Sequence, residues 1–295
     1  MPQTTLGSFT IGPIAYGCWR FAGSTAAEAQ EKIETALDAG MTLIDTADIY
    51  GFGQPCGFGG AEAILGDVLA ASPSWRERMV IATKGGIIPP RPYDSSHDYL
   101  IAAAEASLTR LKTDVIDLYQ IHRPDLTAPV EETARALNDL VTSGKVRHLG
   151  VSNFTVAQTR ALQAHLETPL VSTQPEFSAV CQDPVTDGTL DWCSETGAAC
   201  FAWSPLGGGR LATATPRDEK ETRVHAALAR IAERLDADIS QAALAFLLKH
   251  QANVIPIIGT QTVSRIRDAA AAATLEFTAR DFYDVIEAWR GAAMP

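Results

Sequence analysis

The chain has 295 residues, with 46% hydrophobic and 20% charged. That balance supports a packed core rather than global disorder, and the length suits two ordinary domains or one large α/β barrel. Lys+Arg number 24 against Asp+Glu 35, a net charge of −11, which argues against a nucleic-acid or anionic-membrane partner.

Taken in chain order, Thr4–Ile11 (TTLGSFTI) reads first, as a short hairpin. Its place before the first long apolar run suggests a plug under a barrel. Eight strand-like apolar runs follow: Ile14–Gly17, Met41–Ile44, Met79–Thr83, Ile116–Ile121, Val146–Val151, Leu170–Thr173, Ala199–Ala202 and Val254–Ile258. Helical patterns fill the gaps at Ala26–Ala39, Gly60–Ala70, Tyr99–Leu111, Pro129–Thr142, Val156–Leu166 and Asp187–Thr196. Lys220–His250 reads as two helices, and further helices are expected at Val263–Ala273 and Ala279–Arg290.

Eight βα repeats in this length predict an α/β fold, a (β/α)8 TIM barrel. The expected architecture is one domain over residues 1–295, with an N-terminal β-hairpin cap and an extra C-terminal helix. Uninterrupted apolar strands fit a parallel sheet covered by helices. A doubly wound fold would carry G-x-G-x-x-G after its first strand, and no such spacing occurs.

No run nears the ~18 apolar residues of a membrane span. The segment MPQTTLGSFTIGP lacks the basic-then-apolar layout of a signal peptide. The five cysteines (Cys18, Cys56, Cys181, Cys193, Cys200) form no CxxC pair and suit free thiols in a reducing cytoplasm. The six histidines include no i, i+4 pair, so no metal site is expected. His250, beside Lys249, reads as a favourable charge at a helix C-terminus.

Barrel chemistry collects where strands end, because the βα loops build that face. After the successive runs come Cys18-Trp19-Arg20, Asp45 with Tyr50 five residues on, Lys84, and His122-Arg123. Then come Ser152-Asn153, Gln174, Trp203-Ser204 and Gly259-Thr260. Taken singly, each has a plain reading: Asp45 as a turn cap, Lys84 as a surface lysine, Tyr50 as a packed loop aromatic. Converging on one mouth, four of them suit proton transfer to a carbonyl. A free phenol, with a pKa near 10, is a poor acid at neutrality. A nearby Lys84 cation is expected to lower the Tyr50 pKa, and Asp45 to keep Lys84 charged. A neutral His122 would orient the carbonyl oxygen.

These residues sit in motifs that resemble the aldo-keto reductase superfamily. The motifs are Asp45–Gly51 (DTADIYG), Thr83–Lys84, Leu118–Asp125 (LYQIHRPD), Gly150–Phe154 (GVSNF), Trp203–Gly207 (WSPLG) and Pro256–Thr260 (PIIGT). They stand in family order across most of the chain. WSPLGGGR with RIRDAA is similar to the bacterial YdhF-like branch. The resemblance implies an NADP(H)-dependent enzyme that reduces aldehydes or ketones with Asp45, Tyr50, Lys84 and His122 as its catalytic set. NADH remains an open second cofactor, and a monomer is the expected state.

By the same resemblance, Ser152, Asn153 and Gln174 match the residues that bond the nicotinamide carboxamide. Trp203 takes the ring-stacking position, commonly Tyr. Gly17, Cys18, Ser204, Pro205, Leu206, Gly207 and Arg210 match cofactor positions, the last ones along the pyrophosphate. Gly259, Thr260 and Arg265 match the segment that grips the adenosine 2′-phosphate. Thr262 and Ala269 depart from that pattern, where a basic residue and an Asn are frequent. Trp19, Tyr50 and His122 would face substrate, with Phe52–Phe58 beside them. Lys84, Arg210, Arg265 and Arg267 would make the mouth locally basic, and Arg123 would buttress His122 through an ion pair.

Two other readings use the same residues. Lys84 could serve a lyase or aldolase as a Schiff-base nucleophile. A non-enzymatic, cofactor-sensing subunit would bind the nucleotide without turnover.

Overall fold

A computed structural model describes residues 3–295. The hairpin forms from β1 (Thr4–Leu6) and β2 (Phe9–Ile11), and β3 (Ala15–Gly17) opens the barrel. Then follow α1 (Ala26–Asp38), β4 (Leu43–Asp45), α2 (Gly60–Ala71), β5 (Val80–Gly85), β6 (Ile87–Ile88), β7 (Arg91–Tyr93) and α3 (His97–Leu111). The middle of the chain runs through β8 (Ile116–Ile121), α4 (Val130–Thr142), β9 (Val146–Ser152), α5 (Val156–Gln163), β10 (Leu170–Gln174) and α6 (Thr189–Thr196). The last third holds β11 (Ala199–Ala202), α7 (Arg210–Thr213), α8 (Glu219–Arg234), α9 (Ile239–Leu248), β12 (Val254–Ile258), α10 (Val263–Ala270) and α11 (Ala279–Arg290).

The eight parallel strands β3, β4, β5, β8, β9, β10, β11 and β12 close into a barrel, with β12 pairing β3. This is the expected (β/α)8 TIM barrel. The Lys220–His250 pattern does split in two, where Asp236 takes a positive φ of 50°. Capping boxes at Thr25, Thr155, Asp238 and Thr278 fix the starts of α1, α5, α9 and α11. Two elements had no clear sequence signal. The β6–β7 hairpin has strands of two and three residues, and α7 is one turn of four.

Apolar packing divides into two cores. The larger lies between barrel and helices. The smaller fills the barrel interior, where Ala15, Leu43, Val80, Ala82, Leu118, Phe201 and Ile255 meet Leu6 and Ile11 of the hairpin. The hairpin therefore plugs the bottom, as its order in the chain suggested. Asn253, just before β12, ties it down by accepting from Thr4 and donating to the Thr5 carbonyl at 2.8 Å.

Strand alternation carries this apolar floor up to a polar ceiling. Val80 and Ala82 point inward, so Lys84 does too, two residues higher; Leu43 places Asp45 in the same way. Packing between neighbouring strands in the upper layer is tight. A Cβ on Gly150 would lie 2.2 Å from Ser172 Oγ.

Leu6 is 1% exposed and lies at the far end of the barrel from this polar layer. Leu6→Ala should cost about 2–4 kcal/mol of stability in urea unfolding, as for other buried leucines. A cost below about 0.5 kcal/mol would show that the hairpin does not support the barrel.

Candidate active site

Tyr50 reaches the site from the loop between β4 and α2. Thr46 N donates to Ala82 O at 2.8 Å and Asp48 N to Lys84 O at 3.0 Å, so the loop continues the ladder beside β5. Tyr50 is thereby brought over Lys84. The Lys84 ammonium, 0% exposed, donates to Asp45 Oδ2 at 2.8 Å, to the Thr46 carbonyl at 2.8 Å and to Tyr50 Oη at 3.2 Å. Burial pulls the ammonium toward neutrality, but Asp45 and Tyr50 outweigh it and hold its pKa above the usual lysine value. Lys84 is no surface lysine.

The Tyr50 phenol behaves differently from the sequence expectation. Its pKa is raised, because burial outweighs the lowering effect of Lys84. Since Lys84 donates to the phenol oxygen, the Tyr50 O–H keeps its proton for another acceptor. The His122 ring packs edge-on to Tyr50, centroids 5.8 Å apart. Burial first, then the charges of Lys84 and Arg123, push the His122 pKa well below its ordinary value. The imidazole is neutral, as expected.

A hydrogen-bond chain leads away from the pair. Gln174 Nε2 donates to Asp45 Oδ1 at 3.0 Å. The Gln174 carbonyl accepts from Ser152 Oγ at 2.9 Å and from Asn153 N at 3.1 Å. Asn153 Nδ2 donates to Ser152 Oγ at 2.8 Å and to the His122 carbonyl at 3.2 Å, and Trp203 Nε1 donates to Asn153 Oδ1 at 3.0 Å. Asp45, Tyr50, Lys84, His122, Ser152, Asn153, Gln174 and Trp203 thus form one connected constellation at the strand ends.

A family model described as the aldo/keto reductase family matches residues 13–290. The chain belongs to that family. It is 50% identical to a 6-dehydroglucose reductase of Novosphingobium aromaticivorans over 97% of this chain and 94% of that one. It is 39% identical to oxidoreductase YdhF of Escherichia coli, over 95% of this chain and 94% of the relative. The crystal structure of a thermostable aldo-keto reductase in complex with the inhibitor epalrestat superposes with a TM-score of 0.84 at 30% identity. That match covers 98% of this chain and 100% of the other.

The remaining aldo-keto reductase motifs lie around the same mouth. Cys18 is buried after β3, and its N–H donates to Asp45 O at 2.8 Å. Burial, then the Asp45 charge, hold its thiol well above the usual cysteine range. Gly17 packs against Ile257, where a Cβ would sit 2.8 Å from Cγ2. Ser204 (φ 51°) and Pro205 lead through Leu206 to Gly207, Gly208 and Gly209, which all have positive φ. A Cβ on Gly207 would strike Val180 at 2.5 Å, so backbone alone fits there. Arg20 donates from Nη1 to the Gly259 carbonyl at 3.2 Å and packs over exposed Trp19. Tyr16 donates to the Thr260 carbonyl at 3.1 Å, and Thr262 N to Thr260 Oγ1 at 3.3 Å.

Several expectations need correction. The mouth is not generally basic. Lys84 is matched by Asp45, and Arg210 is held by both oxygens of buried Glu221 at 3.1 Å. Arg267 lines an outer groove with Glu31, Glu34 and Asp38 of α1. Arg265 is exposed and is not among the residues of that acidic groove. Arg123 forms no ion pair with His122; its charge instead disfavours the imidazolium. Phe58 packs toward Arg110 of α3. His250 is no cation: burial lowers its pKa, and Nδ1 accepts from Ala252 N at 3.1 Å. Among the described residues, no group of three or more His, Cys, Asp or Glu could hold a metal.

Sequence reasoning missed a second buried acid cluster, directly behind Lys84. Glu62 of α2, 0% exposed, accepts from Thr83 Oγ1 and from Arg110 Nε of α3. Asp48 is 1% exposed, and neither carboxylate oxygen has a hydrogen-bond partner. Arg110 is already matched by Glu62, so an ionised Asp48 would be uncompensated. Burial first, then Glu62, push the Asp48 pKa up to about 8. Only its place within DTADIYG could have drawn attention to it.

This acid makes stability fall with pH. Folded Asp48 keeps a proton that the unfolded chain releases near pH 4, so its penalty grows from pH 4 to about pH 8. Asp48→Asn removes the titration. Its stability relative to wild type should rise by about 1.4 kcal/mol for each pH unit across that window. A difference in unfolding free energy that stays flat between pH 4 and 8 would contradict a neutral Asp48.

Proposed function

We propose that the protein is an NADP(H)-dependent reductase of sugar aldehydes of the 6-dehydroglucose type, with Tyr50 as general acid. The observation that carries the chemistry is the buried Lys84 ammonium, bonded at once to Asp45 and Tyr50, beside a neutral His122. The substrate class rests on the 50% identity to the Novosphingobium 6-dehydroglucose reductase.

The residues present suit a dinucleotide. Trp203 offers a half-buried aromatic face, and Ser152, Asn153 and Gln174 a polar edge. Gly207–Gly209 leave backbone open to phosphate, and the first turn of α10 lacks a side-chain cap beside Arg265. When bound, a reduced nicotinamide supplies hydride to the carbonyl carbon. Tyr50 gives its proton to the carbonyl oxygen as the alcohol forms. Lys84 stabilises the phenolate left behind, and Asp45 keeps Lys84 charged and fixed. Neutral His122 orients the oxygen toward Tyr50. Alcohol oxidation runs the same transfers in reverse. Arg265 favours NADPH over NADH, and the lack of a basic residue at Thr262 leaves that preference moderate. The chain acts as one domain over residues 1–295, as a cytoplasmic monomer; no helix among the described residues is long and apolar enough to cross a membrane.

A Schiff-base reaction at Lys84 is disfavoured by its raised pKa and three acceptors, since the nucleophile there must be the free amine. A pure cofactor sensor gives no reason for so complete a proton-transfer set.

NADPH oxidation with 6-dehydroglucose tests the proposal. Tyr50→Phe should lower kcat by at least ~10²-fold and keep the NADPH Kd within about threefold. Lys84→Met should lose a similar factor. Near-wild-type turnover by Tyr50→Phe would remove Tyr50 from its role, and tight NADPH binding without turnover of any carbonyl would favour the sensor.

A further inference from the structure

We propose that Trp203 is a positioning residue as well as a stacking surface: its indole N–H fixes the Asn153 amide so that the site demands a hydrogen-bond donor. The inference rests on the nicotinamide reading above and deepens it.

An inventory of donors and acceptors leads there. Asn153 Nδ2 has two hydrogens, and both are spent, on Ser152 Oγ and on the His122 carbonyl. Oδ1 has two lone pairs, of which Trp203 Nε1 takes one. Asn153 can therefore only accept from a ligand. Ser152 Oγ has spent its one hydrogen on the Gln174 carbonyl and one lone pair on Asn153, so it too can only accept. Gln174 Nε2 gives one hydrogen to Asp45 and keeps one. The edge thus presents acceptor capacity on Asn153 Oδ1, Ser152 Oγ and Gln174 Oε1, with a single spare donor on Gln174 Nε2. A primary carboxamide, with two N–H groups and one carbonyl, matches that pattern.

The indole N–H and the His122 carbonyl fix the orientation together, one meeting Oδ1 and the other Nδ2. Asn153 sits at a positive φ of 59°, held by its own N–H to Gln174 O. Rotating its side-chain amide by half a turn would aim an N–H at Trp203 Nε1–H, donor against donor. Trp203 is itself pinned, its backbone N–H donating to Pro175 O at 3.1 Å and its carbonyl accepting from Phe177 N. Any aromatic ring offers a π-face, but only tryptophan carries this N–H. With Phe or Tyr at 203 the donor that opposes the flipped amide is gone, and the His122 carbonyl alone is left to hold it.

Calorimetric Kd values for NADPH and its reduced 3-acetylpyridine analogue test this. The analogue replaces the amide NH2 with a methyl group and so lacks the donors. Wild type should prefer NADPH by about tenfold or more, since a buried acceptor loses its partner with the analogue. Trp203→Phe should narrow the preference to within about threefold, mainly by weakening NADPH. Trp203→Tyr, an independent variant that also keeps a ring, should do the same. Undiminished preference in either folded variant, or no preference in wild type, overturns the inference. Wild type that binds neither nucleotide overturns the proposed function and this inference with it.

Discussion

Everything at the mouth depends on keeping one ammonium charged where water cannot reach it. Removing an ion pair from water costs several kcal/mol per ion unless geometry and extra hydrogen bonds compensate. Lys84 meets that demand with three acceptors, and Asp45 with one bond to Lys84 and one to Gln174. These partners come from four places in the chain, β4, the loop after it, β5 and β10. A closed barrel is what brings them within reach, because Gln174 and Asp45 are 129 residues apart. The fold is therefore not a neutral scaffold under the site. Its closure is the condition for a lysine charge at that depth.

Stability and chemistry are divided along the barrel axis. The lower interior is hydrocarbon, closed by Leu6 and Ile11 of the hairpin. The upper interior is polar and carries groups a stability optimum would not retain. His122 Nδ1, and outside the strands beside Glu62 of α2 both Asp48 oxygens, are buried without a protein partner. Such groups cost free energy that the apolar floor and the outer core must offset. Their placement agrees with the general tendency of strained or unsatisfied groups to gather where chemistry is done.

The barrel was legible because its eight strands are short, predominantly apolar runs, and helices supply the period between them. The convergence of Asp45, Lys84 and His122 was legible for a related reason, since a residue that closely follows such a run lies at the strand end, whereas Tyr50 is brought there by the loop bonds of Thr46 and Asp48 to β5. The β6–β7 hairpin was not, since strands of two and three residues have no period to read. Nor was the Asp48 cluster, whose members pair across 21 and 48 residues between Glu62, Thr83 and Arg110. The sign of the Tyr50 shift and the neutrality of His250 failed on one cause. Composition shows which charges neighbour a group in sequence, but burial is a tertiary quantity, and here it is the larger effect.

The same distinction revises how a chain of net charge −11 could hold an anionic ligand. Counting cations near the mouth suggests attraction by Lys84, Arg210 and Arg267. Two of these are spent on buried carboxylates, and the third faces the acidic flank of α1. What remains is directional rather than bulk: the positive-φ backbone of Gly207–Gly209, the uncapped first turn of α10 and Arg265. Oriented N–H groups attract a phosphate within a few ångströms and are nearly invisible beyond a Debye length. An acidic surface and an anion-binding cleft are then compatible, because the field that binds is local and the field that repels is screened. On that account cofactor affinity should depend on the glycine turn and the α10 terminus more than on the total charge of the protein.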